Sequence, residues 1–176
     1  MKRKTLNFII AFVLVVLTLV NYFYMQSEQK VGNSNKRMKY TKYSNALSGK
    51  KIRFEYSKSR LDRKIKVNDL KIVIVLSNNS CNPCQIRELK NVQVFSKRRN
   101  IAASGLYVGK SDLDAKLLAR YVKREIEIDL VKNFRIGKLK ILKYPVILLV
   151  KGDKIIKGFF PIPGDKQFSL NFYESL

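Results

Sequence analysis

The fold is predicted from the pattern of residues 71–95, which read KIVIVLSNNSCNPCQIRELKNVQVF. It opens with a continuous apolar run, residues 71–77, which has the length of a buried β-strand. After a short polar loop, apolar side chains recur at helical spacing, at Ile86, Leu89, Val92 and Phe95. The pattern predicts a buried strand followed directly by an amphipathic helix, a unit typical of α/β domains.

The flanking segments complete this α/β pattern. Residues 51–56 alternate apolar and polar side chains and predict an edge strand. The segments after the first helix predict, in order, a strand at 101–108, a helix opened by a capping-box-like sequence at 111–114, a strand at 144–150, its hairpin partner at 155–160 and a short helix from Lys166. This order predicts a three-layer α/β sandwich with a mixed central sheet.

The only two cysteines, Cys81 and Cys84, lie between the first strand and its helix. Zinc needs four ligands, so a chain with two cysteines and no histidine would have to share the ion with a second chain. A c-type haem needs histidine after the second cysteine, where this chain has Gln85. A structural disulfide closing so small a ring has little entropy to gain. The spacing favours a redox-active pair.

The predicted helix start gives the two thiols different roles. Unpaired N–H groups and the helix dipole stabilise a thiolate there, and the thiolate is the nucleophile in disulfide exchange. We expect Cys81 to face solvent and attack, and Cys84, one turn further, to be buried and to resolve the mixed disulfide. Pro83 fits the first helical turn, where its missing N–H is no loss. Arg87 either adds to thiolate stabilisation or is simply solvated.

A proline opens the strand at 144–150. Proline cannot donate to a sheet ladder, so Pro145 should stand at the start of the strand or at an edge. In a redox fold, a cis Pro145 would face the cysteine pair and present the backbone of Tyr144 to an extended substrate chain. The alternative is an ordinary trans proline at a strand start.

The N-terminus predicts a membrane anchor. Three basic residues precede 23 uncharged ones, Thr5–Ser27, a run long enough to span a bilayer. A cleaved signal peptide is the alternative, but no small-residue cleavage pattern follows the apolar run. We predict an uncleaved signal anchor at 1–27, a basic polar linker at 28–49 and a globular domain at 50–176. This places the domain outside the cytoplasm, because long domains translocate largely regardless of charge.

The charge balance limits the partners. The chain has 36 basic and 13 acidic residues, a net charge of +23, and no histidine. Without histidine there is no Ser-His-Asp triad, no Cys-His nucleophile pair and no HExxH zinc helix. The excess of positive charge is either a solvated face or a contact for anionic lipid or wall polymer. Interleaved aromatics near the linker could stack on nucleic acid, a partner that an exported domain would seldom meet.

Residues 50–176 resemble the thioredoxin fold and, more narrowly, the membrane-tethered TlpA/ResA-type thiol–disulfide oxidoreductases of the bacterial envelope. The matching features are the strand KIVIVLS, the Cys81–Cys84 motif, the proline of KYPVILLV and the hairpin VILLVKGDKIIKGFF. The resemblance implies a nucleophile at Cys81, a resolving thiol at Cys84, and substrate binding at Tyr144 and a cis Pro145. The chain departs from the family in having Arg87 where a glutamate is usual and no acid on the strand.

The resemblance also implies a function. It implies a single-pass protein of the cytoplasmic membrane whose domain exchanges disulfides with extracytoplasmic proteins, as a reductant. Electrons would come from a membrane partner, because the sequence has no glycine motif for a flavin or nicotinamide cofactor. The alternative is a non-catalytic thioredoxin-like module that binds an anionic polymer or a protein partner at the membrane surface.

Overall fold

The structure, a computed structural model, describes residues 2–56, 70–78, 80–139 and 144–176. It divides into two compact units, residues 1–39 and residues 40–176. Helix α1, Lys2–Asn45, accounts for the first unit and contributes its last residues to the second.

The first unit contains the predicted anchor. Its described apolar side chains, among them Phe12, Leu17 and Phe23, are exposed. Among the residues whose side chains are described, no helix combines the length and the apolar character needed to cross a bilayer. The side chains of residues 1–11, 24, 26 and 27 of the predicted anchor lie outside that description.

The second unit begins ten residues before the predicted boundary. Helix α1 runs through most of the segment predicted as a linker, and Ser44 and Leu47 are buried in the second unit. The Ser44 hydroxyl accepts a hydrogen bond from the Phe160 backbone N–H at 3.1 Å, and Gly49 N–H donates to the Ile155 carbonyl at 2.8 Å. Residues 40–49 are therefore part of the folded domain.

The second unit is an α/β domain built on a six-stranded mixed sheet. Along the chain its elements are β1 Ile52–Tyr56, β2 Leu70–Ser77, α2 Asn82–Arg99, β3 Ala102–Val108, α3 Asp112–Arg120, β4 Glu127–Ile136, β5 Val146–Lys151, β6 Lys154–Phe159 and α4 Lys166–Glu174. The strand order is β1-β4-β3-β2-β5-β6. Strands β2, β3 and β4 are parallel, while β1, β5 and β6 pair antiparallel with their neighbours. The order β2-α2-β3, followed by the β5-β6 hairpin and α4, is the one expected from the resemblance to the thioredoxin fold.

Strand β4 has no counterpart among the elements predicted from sequence. Its apolar side chains change face part-way: Ile128 and Leu130 pack on one side of the sheet, Phe134 and Ile136 on the other. In the pairing with β1, Tyr56 faces Val131 while Glu55 faces Asn133, which leaves an extra residue, Lys132, between them. A bulge of this kind shifts the period-2 pattern by one residue and hides the strand from a search for alternation.

The predicted capping box at 111–114 does not form. Ser111 is the N-cap of α3, but its side chain makes no capping hydrogen bond. Helix α3 is held instead by its inner face, where Ala115 and Leu118 are buried in the core.

The helices cover the two faces of the sheet unequally. Side chains of α2, α3 and α4 join Ile72, Ile74 and Leu76 in one core cluster. The second cluster, built on Val73 and Val75, has no member from these three helices among the described residues and takes Leu47 instead. The predicted mixed α/β sheet is present, and among the described residues α2, α3 and α4 all lie against its first face, whereas the second face receives Leu47, just after the end of α1. The chain steps from β2 to β3 to β4 in one direction, and right-handed crossovers then place α2 and α3 on the same side.

Candidate functional site

The cysteine pair stands where the central strand β2 gives way to helix α2. Cys81 is the N-cap of α2, with extended backbone angles, and its carbonyl accepts the first helical hydrogen bond from Gln85 N–H at 3.1 Å. Pro83 occupies the first turn, as expected. Cys81 is exposed and Cys84 is half-buried. The Cys84 thiol donates a hydrogen bond to Cys81 Sγ at 2.6 Å.

The two thiols differ in acidity. The pKa of Cys81 is lowered, chiefly by the hydrogen bond from the Cys84 thiol, then by the Cys84 backbone N–H and by the positive charge of Arg87. The pKa of Cys84 is raised, chiefly by burial, then by its hydrogen bond to Cys81 and by the negative charges of Cys81 and Glu88. Cys81 is thus the thiol that ionises first and is also the accessible one, which is the arrangement that disulfide exchange needs.

Tyr144 and Pro145 lie beside the pair. The Tyr144–Pro145 peptide bond is cis. Both residues line a pocket of about 290 Å³ together with Cys81, Cys84 and Arg87. Aromatic and proline side chains supply much of the remaining wall, at Tyr40, Phe160, Pro161 and Pro163. The structure therefore brings all four predicted site residues into one pocket.

A side chain just before the pair joins the two walls of this pocket. The Ser80 hydroxyl donates a hydrogen bond to the Tyr144 carbonyl oxygen at 2.5 Å. The bond connects the loop that carries Cys81 with the segment leading into β5. Burial raises the pKa of the Tyr144 phenol, so this ring is a neutral part of the pocket wall.

Gln85 fixes the register between strand and helix. It is fully buried, and its side-chain oxygen accepts a hydrogen bond from Ser77 N–H, the last residue of β2, at 2.8 Å. Its side-chain nitrogen donates to the Asn82 side chain at 3.2 Å. Gln85, which stands where a c-type haem site would need histidine, therefore holds the end of β2 against the first turn of α2.

A buried carboxylate lies one turn below Cys84. Glu88 has no solvent exposure. One of its oxygens accepts from Ser169 Oγ and from Arg87 Nε, each at 2.9 Å. The other accepts from Tyr173 Oη at 3.1 Å and from Asn91 Nδ2 at 3.3 Å. Four donors on two oxygens satisfy the carboxylate and tie α4 to the helix that carries the cysteines.

The sequence contains a signal for these buried polar residues. The buried positions of α2 are 85, 88, 89, 92 and 95, which is the helical stripe already visible in its apolar members. Gln85 and Glu88 occupy the N-terminal end of that stripe. Because buried polar side chains need hydrogen-bond partners, polar residues on the predicted buried face next to the cysteines could have been identified from the sequence as candidate site residues. No local pattern identifies Ser80 in the same way.

Within the described ranges no group of three metal-ligating side chains converges on a point. The pocket brings two thiols, the Arg87 cation and the Ser80 hydroxyl together with aromatic and proline side chains.

Comparison with known proteins gives structural neighbours only. No family model matches the chain, and no curated protein matches it. A thiol:disulfide interchange protein DsbE from Chlorobium tepidum superposes with a TM-score of 0.44 at 15% identity, covering 72% of this chain and 97% of its own. A thiol:disulfide interchange protein from Bacteroides sp. gives 0.45 at 16%, with coverages of 70% and 87%. A thio-disulfide isomerase from Thermus thermophilus gives 0.44 at 12%, with coverages of 73% and 95%.

Proposed function

We propose that this chain is a thiol–disulfide oxidoreductase that acts on protein disulfides through Cys81 and Cys84. The observation that carries the proposal is the asymmetry of the pair: the exposed thiol has the lowered pKa, and the half-buried thiol has the raised one. A structural disulfide does not require a difference in pKa between its two thiols, whereas a nucleophile and its resolving partner depend on one.

The exchange takes two steps. The Cys81 thiolate attacks one sulfur of a client disulfide, forms a mixed disulfide and releases the other client sulfur as a thiolate, which takes up a proton. Cys84 then loses its proton and attacks Cys81 Sγ. This second attack breaks the mixed disulfide, releases the second client thiol and leaves a Cys81–Cys84 disulfide. The client gains two electrons and the pair loses two, so a reductant must restore the dithiol before another turnover.

The walls of the pocket provide a client channel. Tyr144 and Pro145 line the same pocket as the two cysteines, together with Phe160, Pro161 and Pro163. We propose that an extended client segment runs past Tyr144 and pairs with its backbone, since main-chain hydrogen bonds give affinity without strong dependence on client sequence.

A pair of cysteine variants tests this function. With insulin as the disulfide substrate and dithiothreitol as the reductant, Cys81→Ser should abolish turnover. Cys84→Ser should also lose turnover, and when it is mixed with insulin after the dithiothreitol has been removed it should accumulate a mixed disulfide that appears as a mass adduct under non-reducing conditions. Each variant is the matched control of the other, because both remove one thiol from the same turn. Turnover retained in Cys81→Ser would refute the assignment.

We further propose that the protein acts at the cytoplasmic membrane, with its domain on the outer side and a membrane protein as electron donor. The uncharged run Thr5–Ser27 after three basic residues supports the anchor, and the net charge of +23 favours anionic lipid or wall polymer as a neighbour. Carbonate extraction of membranes, followed by protease treatment of intact cells, tests both statements. Release by carbonate would contradict the anchor, and protection from external protease in a cell stripped of its wall and outer layers would contradict the orientation.

A further inference from the structure

The backbone carbonyl of Tyr144 is a hydrogen-bond acceptor in the segment that lines the pocket with both cysteines. Strand β5 enters the sheet at Val146, which pairs with Val75, so Tyr144 lies beyond the last pair of that ladder. Pro145 has no N–H and cannot donate at this point. A client backbone amide that passes Cys81 at this wall therefore has the Tyr144 carbonyl as its natural partner.

In the free protein another group already holds that oxygen. The Ser80 hydroxyl donates to it at 2.5 Å, across a sequence separation of 64 residues. Ser80 also lines the pocket and is half-buried. A serine hydroxyl turns about its side-chain bonds and can give up such a bond without any movement of the backbone. A carbonyl oxygen has two lone pairs, so an incoming amide either takes the second one beside this hydroxyl or displaces the hydroxyl.

We propose that Ser80 is a specificity-determining residue that caps the Tyr144 carbonyl in the free protein and yields it to an extended client. This inference rests on the proposed function. The cap weakens the binding of substrates that donate a hydrogen bond to the Tyr144 carbonyl. These substrates are peptide chains with a free backbone amide beside the disulfide. A small disulfide without an amide reaches Cys81 with the cap in place and does not meet the penalty.

The size of the penalty follows from one hydrogen bond. A hydrogen bond exchanged within a protein contributes a net free energy that corresponds to about twofold to tenfold in an equilibrium constant. Without the cap, a peptide disulfide should therefore bind about twofold to tenfold more tightly relative to a small disulfide. The effect should appear in KM, because the cap is absent from both the bound state and the transition state.

The test compares two substrates on the full-length chain. One is a linear peptide carrying a mixed disulfide on its cysteine, and the other is 2-hydroxyethyl disulfide, which has no amide. For Ser80→Ala we expect the ratio of the peptide KM to the small-disulfide KM to fall about twofold to tenfold from the wild-type ratio. Ser80→Thr keeps a hydroxyl at the same position and should keep a ratio close to that of the wild type.

A second measurement separates the cap from a general effect on the loop. A set of peptides, each N-methylated at one amide near the cysteine, should contain one member for which Ser80→Ala gives no gain, because that peptide cannot donate to the Tyr144 carbonyl. A ratio that is unchanged or raised in Ser80→Ala would overturn the proposal, as would an equal gain for every methylated peptide. Failure of the proposed function would look different, since the wild-type chain would then reduce neither substrate.

Discussion

Replacing Glu88 by leucine tests the buried network that connects α4 to the helix bearing the cysteines. Leucine has nearly the same volume but accepts no hydrogen bond, so all four donors lose their partner: Arg87, Asn91, Ser169 and Tyr173. The Ser169 and Tyr173 hydroxyls are buried, and the Arg87 side chain is only 22% exposed. Removing one member of a buried ion pair costs about 3–5 kcal/mol. That is a large fraction of the roughly 5–15 kcal/mol by which a domain is stable.

Urea unfolding followed by near-ultraviolet circular dichroism, which reports on packed tyrosines, measures this loss. The matched control is Glu174→Leu, an exposed carboxylate on α4, whose stability should change by no more than about 0.5 kcal/mol. Glu88→Gln should lie between the two, because a glutamine can still accept from some donors while the Tyr173 hydroxyl turns to accept from its amide.

The same substitution has a chemical readout at the redox pair. The negative charge of Glu88 raises the pKa of Cys84, and the positive charge of Arg87 lowers it. Removing Glu88 eliminates the first effect and leaves Arg87 unpaired, so both changes lower the pKa of Cys84. Alkylation of Cys84, followed by mass spectrometry in a Cys81→Ser background, should then begin at lower pH in Glu88→Leu than in its parent. A stability loss no larger than that of Glu174→Leu, together with an unshifted alkylation profile, would refute the reasoning.

Three further outcomes follow from single contacts. Asp165 caps α4 through its side chain, whereas Ser111 at the start of α3 makes no such bond. We therefore expect Asp165→Ala to lower the free energy of unfolding by about 1 kcal/mol and Ser111→Ala to leave it unchanged. A Cβ on Gly158 would lie 2.4 Å from a methyl carbon of Leu47. We therefore expect Gly158→Ala to destabilise the domain by about 1–3 kcal/mol, measured by thermal unfolding. An unchanged melting temperature would show that residues 40–49 do not pack as described. Because the pKa of Cys81 is lowered and its thiolate is the reactive form, its iodoacetamide alkylation rate should reach half of its plateau at lower pH than that of free cysteine.

Much of the fold can be predicted from local sequence because most elements carry a pattern within a dozen residues. The apolar run of β2, the helical stripe of α2 and the turn between β5 and β6 each specify their own structure. Strand β4 escapes this kind of inference, since its inward face changes at Lys132, and the bulge exists only through pairing with β1. The segment that precedes residue 50 escapes it as well, because Ser44 and Leu47 are recognised as parts of the domain only by their partners in and after β6.

The cysteine pair can be identified from the sequence, since two cysteines three residues apart at a strand-to-helix junction predict one exposed and one more buried thiol, and the structure gives Cys81 the exposed position and the lowered pKa. Their surroundings come from distant parts of the chain. Nothing in the local sequence distinguishes Glu88 from other helical glutamates, and its partners Ser169 and Tyr173 come from α4. In the same way, nothing distinguishes Ser80 from other loop serines, and its partner, the Tyr144 carbonyl, lies in the segment before β5. Spacing along the chain determines what a residue can do chemically, but the partners that tune it are separated by 64 to 85 residues, and only tertiary packing brings them together.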